Sequence, residues 1–203
     1  MNGQPNERQE QAGIQMEKFE QLKRELLEIL EKSAVIEDPA HAQIVHKWVL
    51  KLKPDADEAL QISALSHDID RAISGIMESG VKFGPEYDEF KKAHALRSAQ
   101  YISEILRKYA YPEETIQKVH HLVANHEFGG DEETDILRNA DSLAYFEYNI
   151  PFYLESNGRE RTKEKIKFMY RRIPPEAQDL VRGMKFSDKN IDELFQETMQ
   201  ELG

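Results

Sequence analysis

The sequence predicts an all-α bundle, and three observations carry that reading. Apolar residues recur at steps of three and four through most of the chain, and no credible stretch alternates with period two. Only 10 glycines and 8 prolines interrupt 203 residues, and 32% of the residues are charged, the composition of long, well-solvated helices. A 39% hydrophobic content is enough for one good core at this length.

The elements follow in order. Residues 1–13 are polar with almost nothing to bury and are expected to form a flexible tail. Phe19, Leu22, Leu26, Leu27 and Leu30 mark an N-terminal helix from Ile14. Asp38-Pro39 is a helix start, with Asp suited to capping and Pro to the first helical position. That helix carries Ile44, Val45, Trp48, Val49 and Leu52 and stops near Pro54; a second start at Asp55 leads through Leu60, Ala64 and Leu65. Gly75, Gly80, Gly84 and Pro85 mark a loop where the chain can open around a ligand. Glu86 to Tyr109 reads as a long helix, and Pro112 begins another that ends at Gly129-Gly130. Thr134 is the expected cap of a helix running to about Leu154, kinked at Pro151. Two short helices follow Pro174-Pro175 and Ser187. One domain over 14–203 is expected, with a core over about 36–154 and C-terminal helices over 159–203.

Charge and composition exclude several function classes. Lys and Arg number 27 against 38 Asp and Glu, a net charge of −11, which lacks the footprint of a general nucleic-acid or anionic-membrane binder. Cysteine is absent, which removes disulfides, thiolate metal sites and cysteine nucleophiles. The longest stretch free of Asp, Glu, Lys and Arg is Ala59–His67, far short of a spanning helix. A soluble, cytoplasmic protein is expected.

The chemistry lies in the ordered set His41, His67-Asp68, His94, His126 and Asp141. Each falls on a predicted helix or helix end, and apart from the adjacent pair each is on a different one. Imidazoles with carboxylates suit a divalent transition metal such as Fe, Mn, Ni, Co or Zn, and side chains from facing helices of a bundle can build such a site. His67-Asp68 ends an apolar run, where an ionisable pair costs several kcal/mol unless a metal or partner neutralises it.

His41, then His67-Asp68, then Asp141 within Ala140-Asp141-Ser142-Leu143 resembles the HD-domain metal-dependent phosphohydrolase superfamily over roughly residues 36–154. The run from His41 through Trp48 and Leu52-Lys53-Pro54-Asp55-Ala56 is similar to an HD-like group that implies no particular substrate. The resemblance implies an HD-like helical bundle in which His41, His67, Asp68 and Asp141 surround one metal. His94 and His126 look like the added ligands of two-metal members, with Asp68 bridging. Asn125-His126-Glu127 departs from the His-His-Glu triplet of one subgroup, and the Gly-rich Tyr-Pro signature of the cyclic-dinucleotide subgroup is absent.

The implied activity is hydrolysis of a phosphoester in a nucleotide or small phosphorylated metabolite by a metal-activated hydroxide. Asp68 would orient the nucleophile, and His94 or His126, if unligated, would protonate the leaving oxygen. Arg71, one turn beyond His67, either meets the phosphate or pairs with Asp68 or Asp70. The segment Arg159–Arg172 holds seven basic and two acidic residues; Arg159, Arg161 and Lys163 either draw in the phosphate or belong to a solvated amphipathic helix with Ile166 and Phe168-Met169-Tyr170 inward. Two alternatives stand beside the hydrolase: an HD-like di-iron oxygenase cleaving a C–H and then a C–C or C–P bond, and a nucleotide-sensing module without turnover. Of the other histidines, His46 is expected at the surface, and His120 and His121 compete with His126.

Overall fold

In the computed structural model, which describes residues 7–78 and 80–203, the chain forms eleven α-helices with short connections. They are α1 (Glu7–Leu30), α2 (Asp38–Leu52), α3 (Glu58–Ser66), α4 (Ile69–Ser74), α5 (Pro85–Lys108), α6 (Glu113–Asn125), α7 (Glu132–Ala144), α8 (Ile150–Asn157), α9 (Arg159–Arg171), α10 (Pro175–Arg182) and α11 (Lys189–Leu202). A π-helical turn, Tyr145–Asn149, joins α7 to α8. Among the described residues there is no strand, and no helix is long and apolar enough to cross a membrane.

Helix α3 organises the packing, because nearly every side of it is buried. Leu60 and Ala64 face a core completed by Val45 and Trp48 of α2, Leu137 of α7, Phe146, Ile166 of α9, and Leu194 and Phe195 of α11. Ala59, Ile62 and Leu65 face a second core built with Leu22 and Leu26 of α1, Ile102 and Leu106 of α5, and Val119 and Val123 of α6. The two hydroxyls on this buried helix are satisfied locally: Ser63 donates to the Ala59 carbonyl and Ser66 to the Ile62 carbonyl, both at 2.8 Å. Asp57 caps α3 by accepting from the Leu60 N–H at 3.0 Å. The C-terminal helices are part of this fabric, since α9, α10 and α11 supply Ile166, Val181 and Phe195 to the first core.

Several local expectations need correction. Residues 1–6 of the expected tail lie outside the described residues, but Glu7–Gly13 extend α1. Gln9, Glu10 and Gln11 favour helix by intrinsic propensity while staying exposed. The helix expected from Asp55 is broken at His67-Asp68 into α3 and α4. Asp38 does not cap α2; its carboxylate turns instead to Ser33 and Arg71. Asp131, rather than Thr134, caps α7, accepting from the Thr134 N–H at 3.0 Å while Thr134 Oγ1 accepts from the Asp131 N–H at 3.0 Å. Pro151 produces the π turn in place of a kinked α-helix, because its ring would clash with the carbonyl four residues earlier and a wider turn removes that conflict.

Phe195 is fully buried, with its ring 6.2 Å from Phe146 and 5.0 Å from Phe186. Phe195→Ala is expected to cost about 3–5 kcal/mol in chemical denaturation, whereas truncating the exposed Ile14 should change stability by less than about 0.5 kcal/mol.

Candidate metal centre

The break between α3 and α4 places His67 and Asp68 at the end of the most buried helix, where four further elements deliver side chains. His41 comes from α2, His94 from α5, His126 from the end of α6 and Asp141 from α7. All six residues selected in the sequence meet there, each no more than 7% exposed. Asp68 is the hub. Its Oδ2 lies 3.9 Å from His41 Nε2 and 3.4 Å from His67 Nε2. Its Oδ1 lies 2.8 Å from His94 Nε2 and 4.0 Å from His126 Nε2. One carboxylate thus turns one oxygen to each of two imidazole pairs. Asp141 Oδ1 closes the first group at 3.1 Å from His41 Nε2 and 3.8 Å from His67 Nε2.

The imidazoles share one orientation. His67 Nδ1 donates to the Ala64 carbonyl at 3.0 Å, and His126 Nδ1 to the Val123 carbonyl at 2.7 Å. His41 Nδ1 donates to Asn149 Oδ1 at 2.8 Å, and His94 Nδ1 to Asp70 Oδ2 at 3.0 Å. Placing the proton on Nδ1 leaves each Nε2 lone pair turned to the cluster, the arrangement by which a ligating histidine is usually oriented. Nε2 of His67 and of His126 is buried with no hydrogen-bond partner. Lone pairs that face carboxylate oxygens in a buried site are satisfied when a metal ion or a proton lies between them. Two groups meet the geometric requirement for holding a metal ion: His41, His67 and Asp68, and Asp68, His94, His126 and Glu127.

Around the ligands lies a layer of ion pairs. Arg97 reaches both oxygens of Asp70, at 2.9 and 2.8 Å. Burial opposes ionisation of Asp70, but His94 and Arg97 outweigh it and lower the carboxyl to about 2. Arg172 bridges Glu127 Oε2 at 2.8 Å and Asp141 Oδ2 at 2.9 Å, and Lys91 pairs with Glu127. Burial would raise the Asp68 carboxyl, yet Arg71, followed by His67, holds it well below the usual carboxylate range. At Asp141 the same burial effect is outweighed by His41 and Arg172.

The cluster opens on a cavity of about 280 Å³, to whose walls His41, Asp68 and Asp141 contribute along with Arg71, Lys91, Lys165 and Arg172. Arg71 takes the ion-pair position expected for it beside Asp68. It lines the cavity and pairs with Asp38 (2.9 Å) and Asp68, not with Asp70. The three residues expected to receive substrate do not reach this cavity. Arg159 is partly exposed and pairs with Glu197, and Lys163 pairs with Glu197 and Glu201 of α11. Arg161 donates to the Glu78 and Val81 carbonyls, at 3.3 and 2.9 Å, and so ties the 75–84 loop to α9. The basic segment sends Lys165 and Arg172 inward instead. A sequence signal existed for both: Lys165 adjoins Ile166 on the stripe Thr162, Ile166, Met169, and Arg172 lies three residues beyond Met169.

Other histidines stay outside. His46 is half-buried beside Gln61 Oε1 at 3.0 Å, His120 Nδ1 lies 3.3 Å from Ser103 Oγ, and exposed His121 pairs with Asp131. Asp70, Arg97, Lys91 and Asn149 were missed as supports. Lys91 and Arg97 each lie three residues from His94, close enough to share its helix face, whereas Asn149 had no comparable marker.

Two outcomes follow from this layer. Asp70→Asn should weaken divalent-metal affinity by about 10–100-fold, read by competition with a chromophoric chelator. Arg172→Ala leaves Glu127 and Asp141 without their shared cation and should cost about 3–5 kcal/mol in denaturant unfolding of the metal-free protein.

No curated protein and no solved structure matches the chain. A family model does match, over residues 15–194, and on that extent the chain belongs to the family described as Domain of unknown function (DUF4202).

Proposed function

We propose that the protein is a metal-dependent phosphohydrolase acting on a nucleotide or another small phosphorylated metabolite. The observation that carries this reading is the Asp68 carboxylate, turned to two imidazole pairs at the edge of a cation-lined cavity. The residue order that resembles the HD-domain pattern supports the same conclusion. His41, His67, Asp68 and Asp141 would hold one divalent transition-metal ion, and Asp68, His94 and His126, with Glu127 beside them, a second. Nitrogen and oxygen donors without thiolate fit Fe, Mn, Ni, Co or Zn. Bound there, such ions supply Lewis acidity toward a phosphoryl oxygen and lower the pKa of water.

The chain's own residues do the rest. Carbonyls of Ala64 and Val123, with Asn149 and Asp70, hold the four imidazoles in one tautomer, so the site needs no reorganisation when charge develops. Arg71 stands beside Asp68 on the cavity wall, where its guanidinium can meet the non-bridging oxygens of an entering phosphate. Arg172 and Lys91 neutralise Glu127 and keep its carboxylate from repelling that phosphate. In a single-metal form that leaves His94 unligated, its imidazole, held between Asp68 and Asp70, would be the group that protonates the leaving oxygen.

Protein loaded with each candidate metal and screened against phosphomonoesters and nucleotides should release inorganic phosphate. A chelator should abolish this, and Asp68→Ala should lose metal content and at least about 100-fold of activity together. Normal turnover in Asp68→Ala would refute the reading, and oxygen consumption without phosphate release would transfer the same ligand set to the oxidative alternative.

A further inference from the structure

The face of the cavity beyond Asp141 carries a pattern the metal centre does not use. Asp141, Tyr145, Asn149, Tyr153 and Asn157 all line the cavity, at an unbroken spacing of four residues. In a continuous α-helix each four-residue step overshoots a full turn by about 40°, so such a series would wind away from any one cavity. The π turn at Tyr145–Asn149 is wider and takes up part of that overshoot, which keeps the series facing inward.

Beyond Asp141, the side chains of this series are neutral hydrogen-bonding groups. Tyr145 is 4% exposed, yet its hydroxyl has no hydrogen-bond partner. The Tyr153 hydroxyl is also buried, close to Glu78 and Arg161 but without a well-aligned hydrogen bond to either. Asn149 spends its Oδ1 on His41, which leaves the amide nitrogen for a ligand. A buried hydroxyl left unpaired destabilises the empty pocket, and a ligand bearing hydroxyls of its own would relieve that.

The cations on the wall are already committed. Arg71 pairs with Asp38 and Asp68, Lys91 with Glu127, and Arg172 with Glu127 and Asp141. Lys165 donates to Tyr87 Oη at 2.7 Å, with Glu78 at 3.4 Å. With Arg71 taken by the phosphate, a second anionic group on the substrate finds no unpaired counter-charge here, whereas a neutral, hydroxyl-rich group finds donors and acceptors. The cavity volume of about 280 Å³ also sits at the small end for ligand pockets.

From this we infer that the α7–π turn–α8 face is a recognition surface for the hydroxyl-bearing part of a small phosphorylated sugar or polyol, with Tyr145 and Tyr153 as its specificity-determining residues. The inference rests on the phosphoester reading above for the position of the phosphate, and it narrows the substrate class to a phosphomonoester of a neutral polyhydroxylated carbon chain.

The test uses the full-length metal-loaded protein, Tyr145→Phe and Tyr153→Phe. Two readouts are taken, kcat/KM for phosphate release and equilibrium binding by calorimetry. The probes are pentose and hexose phosphates, nucleoside monophosphates, phosphorylated hydroxy acids and p-nitrophenyl phosphate. The expected result is a preference for the sugar phosphates. Tyr145→Phe should lower the ratio of sugar-phosphate to p-nitrophenyl phosphate kcat/KM by about 5–10-fold, the effect of one neutral hydrogen bond, with a matching loss in sugar-phosphate binding. Tyr153→Phe should act in the same direction and covers the case in which Tyr145→Phe does not fold. Better use of nucleotides or phosphorylated acids, an unchanged ratio in both variants, or no sugar-phosphate binding would each overturn the inference. Sugar-phosphate binding that depends on Tyr145, without release of phosphate from any ester, would uphold it and refute the hydrolase reading alone.

Discussion

The contact between Asp68 and four imidazoles is the constraint on which the rest of the structure depends. Each Nε2 faces a carboxylate oxygen in a buried site, an arrangement that positive charge between them, from a metal ion or a proton, stabilises. The arrangement is set from behind, because the Nδ1 protons are committed to two backbone carbonyls, one amide and one carboxylate. Those four acceptors determine which nitrogen is free as firmly as the ligands themselves. Nitrogen and oxygen donors arranged this way could hold a metal ion.

Such a cluster needs a rigid support, and α3 provides it. A helix packed on both sides between two apolar cores cannot shift without disturbing both, so the His67-Asp68 step at its end is held as tightly as anything in the molecule. The remaining ligands arrive on helices that pack directly or through one neighbour on α3, and each therefore meets Asp68 with little freedom. The energetic cost of a buried polar centre is met here by apolar contact area on either side of it.

Electrostatics then divide the cavity into two parts. Near the ligands, carboxylates are paired with Lys91, Arg71 and Arg172, and the ionised forms are held in place despite burial. Farther along, the wall turns to tyrosine and amide groups, and Lys165 sits within an aromatic surround of Tyr87, Tyr145, Tyr153 and Phe168. Burial pulls that ammonium below its ordinary value, while Glu78 acts against the shift. A net charge of −11 over the whole chain conceals this local balance.

The helical class, most element positions and the six clustered residues were legible in the sequence, because they depend on local periodicity and on residue chemistry. His41, His67, Asp68 and Asp141 stand out as polar groups on faces that must be buried, wherever those faces are packed. The supports and the cavity wall were not legible in the same way. Asn149 reaches His41 across 108 residues, and Arg172 reaches Glu127 across 45, partnerships that exist only after the π turn packs on α2 and the end of α9 on the end of α6. Arg159, Arg161 and Lys163 share the charge of Lys165 and Arg172, and only helix rotation against neighbours separates the two sets. Sequence by itself determined which residues meet in the buried cluster, since residue type and spacing mark them; tertiary structure decided what each one faces, since burial and partner choice are non-local.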